Sequence, residues 1–154
     1  MQKILKLLTW PAALYIAGTL LWYEQYKLTG NPGSVWLFAT LTDWLFLDGH
    51  EKAMRLTVAS LEILASILVV IPPTRMVGAA LALGIMSGAI FFHVFSPLGI
   101  DPYNDGARLF TEACEVWLLS AFILLVYRAE ALAMLRRITP AGWLPAARSP
   151  ATQR

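Results

Sequence analysis

Apolar residues in this chain run in long uninterrupted blocks, not in the alternating or half-helical stripes of a water-soluble domain. Residues 7–23 carry no charged side chain, and residues 76–100 carry none apart from a neutral His93. A membrane-crossing helix needs about 20 mostly apolar residues. Four blocks approach that length, at about residues 7–26, 54–71, 76–95 and 107–127. Proline and glycine mark the breaks. Pro72-Pro73 stops the second block, and Pro97 with Gly99 stops the third. Pro11 falls near the start of the first block, where a missing N–H matters least.

The tight break at 72–75 predicts that the second and third helices are antiparallel neighbours. A longer, turn-rich polar stretch at 96–106 leads into the fourth helix. The longest connection lies between the first and second helices. It opens as a loop over 29–34 and continues as an aromatic, amphipathic segment over about 35–47, with Trp36 and Trp44 eight residues apart. Thirteen helical residues cover only about 20 Å of a roughly 30 Å core. This segment is therefore expected to lie at the water–lipid boundary, where aromatic rings are favoured. The fold class that results is all-α: an integral membrane four-helix bundle with an extra interfacial helix between the first and second spans. Residues 1–128 form the transmembrane domain, and residues 129–154 an amphipathic arm and flexible tail.

Composition agrees with this pattern. The chain has 154 residues, 58% hydrophobic and 14% charged, with a mean hydropathy of +0.61. An average soluble domain carries about 25% charged residues. The basic start, with Lys3 and Lys6 ahead of an apolar run, resembles a signal peptide. No small-x-small cleavage site ends that run, so an uncleaved helix is expected. Lys3, Lys6, Arg75, Arg128, Arg136, Arg137, Arg148 and Arg154 fall on one side of a four-span topology. Lys27, Lys52, Arg55 and Arg108 fall on the other. The bias predicts that both termini are cytoplasmic. The single cysteine, Cys114, permits neither an internal disulfide nor a Cys-x-x-Cys relay. The net charge of +2 is small, and no basic run points to nucleic acid.

Chemistry is sought where charge enters these blocks, because intramembrane charge is costly and faces a bundle interior or a wet cavity. Glu62 lies inside the second block, Glu112 and Glu115 inside the fourth, and His93 near the end of the third. At about 1.5 Å per residue, these groups and the pair Glu24 and Lys27 converge on the outer half of the bundle. The inner half is expected to hold none. Arg108, Glu112 and Glu115 share one helical face, and Arg55 stands seven residues before Glu62. A nearby arginine would keep a carboxylate ionised, against the effect of burial. The plain alternative is structural: Glu62 pairs with a cation on another helix, and His93 caps the third helix. Glu62, His93, Glu112 and Glu115 together suit iron, manganese or zinc by donor type. They lack the Glu-x-x-His pair of carboxylate-bridged bundles, so metal is disfavoured. Haem is disfavoured too, since His50 lies in a loop. The small residues of the third block, with Gly84-Ile-Met-Ser-Gly88 at their centre, suit close packing inside the bundle more than a dimer seam.

Taken in order, these features resemble the DoxX family of small membrane proteins. The resemblance covers residues 15–127. It rests on the aromatic stretch ending in Tyr26-Lys27-Leu28, the amphipathic segment before the second helix, and Glu62 in Leu61-Glu62-Ile63-Leu64. The Pro73-Thr74-Arg75 turn and a Gly/Ala-rich third helix with His93 complete it. The chain departs from the pattern in its longer hairpin before the fourth helix and in its extra acidic pair, Glu112 and Glu115. The resemblance implies a multi-pass protein of the bacterial inner membrane, serving as a small subunit in quinone-linked redox chemistry. On that basis the expected function is a redox subunit binding a quinone or similar lipid-like molecule. Glu62 and His93 would exchange protons, and Glu112, Glu115, Arg55, Arg108, Glu24, Lys27, Trp36 and Trp44 would line the site. The alternatives are a non-catalytic assembly subunit of a larger membrane complex and a small proton-linked carrier. The expected partners are the lipid bilayer and a larger membrane complex or a second copy of the chain.

Overall fold

The computed structural model describes residues 2–130, and these form five helices. They are α1 (Gln2–Thr29), α2 (Pro32–Trp44), α3 (Glu51–Val70), α4 (Arg75–Phe95) and α5 (Arg108–Val126). All but α2 are long and apolar enough to cross a membrane. The chain is thus a helical, multi-pass membrane protein. The arm and tail expected over 129–154 lie, beyond Glu130, outside the described residues.

The four long helices pack as a closed square. Helix α1 lies against α3 and α5, and α4 lies against the same two from the opposite corner. The short turn between α3 and α4 makes them antiparallel neighbours, as the Pro72-Pro73 break predicts. The shared core is built from small and branched residues: Ala13, Ile16, Ala65, Val69, Ala79, Val116 and Ile123 are inaccessible. Large apolar residues point outward instead. Leu7, Leu14 and Leu21, spaced by seven, form an exposed stripe on α1, and Leu118 and Leu125 do the same on α5. That inside-out distribution suits lipid, not water.

Two helix boundaries depart from expectation, each for a local reason. Helix α1 starts well before the apolar block, so Pro11 lies in its interior and not near its start. The backbone there lacks one i→i−4 bond. Helix α2 begins at Pro32, not near residue 35. Asn31 caps it by accepting a bond from the Gly33 N–H at 3.0 Å, and Pro32 occupies the first turn, where its missing N–H is harmless. At its other end the Phe46 N–H bonds to the Asp43 carbonyl and the Leu47 N–H to the Thr42 carbonyl. This terminating motif usually places glycine in the left-handed conformation. Here Phe46 adopts it, with φ +58°, and the residue is 92% exposed.

Where α3 meets α4, Gly78 lets two backbones touch. A methyl group at Gly78 would lie 2.2 Å from the Val69 nitrogen and 2.6 Å from the Leu68 carbonyl carbon. Arg75 seals the same corner. It is only 1% exposed. Its guanidinium donates to the Val69 and Val70 carbonyls, both at 3.1 Å, and to the Thr9 hydroxyl at 3.0 Å. It also stacks 4.1 Å from the Trp10 ring centroid. The last carbonyls of α3 are therefore satisfied by a cation, as a helix C-terminus favours. The expectation of no buried polar group at this end is thus corrected.

Candidate functional site

Toward the opposite end lies a cavity of about 600 Å³, walled by α1, α2, α3, α4 and α5. Most of its wall is Leu, Met, Ala and aromatic carbon, and Gly84 and Gly88 of α4 form part of it. Neither glycine serves the close helix packing expected of the Gly-x-x-x-Gly. A methyl group built on either would meet no atom within 4 Å. Gly84 is exposed and Gly88 half-buried, and neither fills the part of the cavity wall it forms.

Polar groups gather in three places. The first joins α1 to α3. The Lys27 ammonium, on the last turn of α1, holds the Glu24 carboxylate at 3.0 Å and is also bonded to Glu62. Glu62 is only 5% exposed and Glu24 only 4%. Two buried carboxylates thus share one ammonium, and the second Glu24 oxygen, Oε2, has no hydrogen-bond partner among the described residues. Arg55 does not serve Glu62, contrary to expectation. It is paired with Glu51 and donates to the Lys27 backbone carbonyl. Seven residues along a helix place Arg55 beside the C-terminal end of α1, next to Gly30, whose φ is +68°.

The second group sits at the start of α5. The Tyr23 hydroxyl donates to Glu112 at 2.5 Å, and Arg108 Nε donates to the other oxygen of the same carboxylate at 2.8 Å. The third is His93, 4% exposed. Its Nδ1 lies 2.7 Å from the Gly99 carbonyl in the turn after α4. The ring meets Phe110 edge-on at 5.7 Å.

Of the residues expected at the site, Lys27, Glu62, His93, Arg108 and Glu112 border the cavity. Glu24 and Arg55 stand behind that wall, holding Lys27. The expectation fails for three others. Glu115 points away, exposed and bonded to the Tyr15 hydroxyl. The i, i+7 spacing from Arg108 puts it lower on α5, on the side facing the middle of α1. Trp36 packs against Tyr103 at 6.1 Å, and Trp44 against Phe91 and Phe92 at 6.3 and 6.1 Å. The part of α2 that faces the cavity is Gly33, Ser34, Leu37, Phe38 and Leu41. Glu62, His93, Glu112 and Glu115 thus have separate partners, and among the described residues no three acidic, His or Cys groups are placed to hold a metal.

Sequence reasoning missed Tyr23 and Tyr103, and it assigned the two cavity glycines to close helix packing. Tyr103 bonds the Gly33 carbonyl at 3.0 Å and ties the α4–α5 hairpin to α2. Its signal was weak, an aromatic residue inside an otherwise polar turn. No family model, curated protein or solved structure matches this chain.

Proposed function

We propose that this chain is a small subunit of a membrane redox system and binds a quinone or similar lipid-like molecule in its cavity. The resemblance to the DoxX family motivates the redox role, and one observation carries the binding role. The cavity has the volume typical of small-molecule sites, about 300–1,000 Å³, and combines an apolar wall with few polar groups. An amphiphile with a ring-sized head and an apolar tail matches that pattern. The setting we propose is the bacterial inner membrane, with both termini cytoplasmic and α2 at the outer interface. The charge asymmetry between the two sides and the exposed Trp36, Phe46 and Leu47 on and after α2 support it.

A second reading has its own support. The same exposed aromatic and aliphatic side chains at α2 suit docking onto a larger membrane complex in a non-catalytic role.

The test uses Gly88→Leu, which puts a large side chain at a cavity-lining position where an added Cβ would meet no atom within 4 Å. Protein purified in mild detergent is extracted and its lipids are analysed. The wild type should retain an isoprenoid or other apolar ring compound, and Gly88→Leu should lose it while staying folded. Equal retention by both proteins, or none by the wild type after reconstitution with a short-chain alkyl benzoquinone, rejects cavity binding.

A further inference from the structure

We infer that the ligand of this cavity carries a hydroxyl group and that His93 accepts the hydrogen bond from it. The inference rests on the binding reading above and specifies the chemistry of the bound head. The Gly99 carbonyl can only accept, so the His93 Nδ1 beside it carries the hydrogen. In the neutral ring Nε2 is then a lone pair with no proton. The ring cannot readily exchange these roles. Gly99, at φ +71°, fixes its carbonyl in a turn that glycine favours, and Phe110 packs against the ring edge-on. His93 forms part of the cavity wall, and no second hydrogen bond to its ring occurs among the described residues.

Several donors around the cavity are already directed at protein acceptors. Lys27 holds Glu24 and Glu62, Arg108 and Tyr23 hold Glu112, and Tyr103 holds the Gly33 carbonyl. A head group bearing only carbonyl oxygens would set its own lone pairs against the His93 lone pair. In an apolar setting that mismatch is costly. A hydroxyl supplies the missing donor. Within a quinone couple the His93 position therefore favours the reduced, quinol member.

The experiment compares a short-chain alkyl benzoquinone, its quinol and the quinol's dimethyl ether, bound anaerobically to the full chain in nanodiscs. Wild type should bind the quinol about tenfold more tightly than the quinone or the ether, the worth of one buried hydrogen bond. His93→Phe should remove that preference while still binding the quinone. His93→Gln, which keeps an acceptor oxygen, should restore part of it. If the ether or the quinone binds wild type as tightly as the quinol, the His93 inference is overturned and cavity binding stands. If no form binds, or if Gly88→Leu changes nothing, cavity binding fails and the inference fails with it. The wild-type comparison decides the matter even where a His93 variant does not fold.

Discussion

The ammonium of Lys27 and the carboxylate of Glu62 are bonded across the α1–α3 interface, and the same ammonium also holds Glu24. The arrangement is asymmetric. Removing Lys27 leaves two buried carboxylates without a cation, whereas neutralising Glu62 leaves Lys27 still paired with Glu24. Lys27→Met should therefore cost about 3–5 kcal/mol of stability, the usual penalty for orphaning buried charge. Glu62→Gln, which keeps shape and hydrogen bonding, should cost about 1 kcal/mol. Thermal unfolding of the two variants in one detergent makes the comparison. A Glu62→Gln protein as unstable as Lys27→Met would mean that the pair does not work in this way.

Two glycines of α4 should respond oppositely to the same change. An alanine at Gly78 would drive a methyl group into the α3 backbone, which cannot yield cheaply, so Gly78→Ala should destabilise by about 1–3 kcal/mol. At Gly84 the space is open, and Gly84→Ala should gain up to about 1 kcal/mol from helix propensity. Unfolding in a mild detergent measures both, and a destabilised Gly84→Ala protein would contradict the geometry.

Arg75 is the counterpart of the cavity at the other end of the bundle. Its planar fork reaches two carbonyls and a hydroxyl at once while its face stacks on Trp10. A lysine keeps the charge but cannot reproduce that geometry. Arg75→Lys should lose about 2 kcal/mol, roughly two of the three hydrogen bonds. Thr9→Val, which removes one partner, should lose less. If Arg75→Lys melts with the wild type, the charge alone is sufficient and the fork is incidental.

The spanning helices were legible because lipid imposes a long, unbroken apolar signature, and Pro72-Pro73 or Pro97 ends it sharply. The convergence of Lys27, Glu62, His93 and Glu112 was legible too, since rise per residue and alternating helix direction set depth. Rotation about each helix axis was not. Glu115 is one turn from Glu112 yet faces away, and Arg55 shares a helix with Glu62 yet serves α1. Which side a residue faces depends on how neighbouring helices dock, and that is a sum of many small contacts. Gly84 and Gly88 were misjudged for a related reason: a small residue permits either close packing or open space, and the spacing is the same for both. Arg75 illustrates the opposite error. Counted as a surface charge for topology, it is buried, so the charge asymmetry is carried by the other cations.

That asymmetry still favours cytoplasmic termini, and the fold provides exposed sites at both ends to check it. Asp48, in the exposed turn after α2, and Lys3, near the start of α1, lie at opposite ends of the bundle. On a Cys114→Ser background, Asp48→Cys should react with a membrane-impermeant maleimide in intact cells whose outer membrane is permeabilised. Lys3→Cys should react only after the inner membrane is opened. Both substitutions replace exposed side chains, and neither residue takes part in a hydrogen bond through its side chain among the described residues, so folding should be unaffected. The reverse labelling pattern would invert the protein in the membrane. The cavity, with Lys27, Glu62 and His93, would then open toward the cytoplasmic leaflet, and quinol binding would have to be sought from that side.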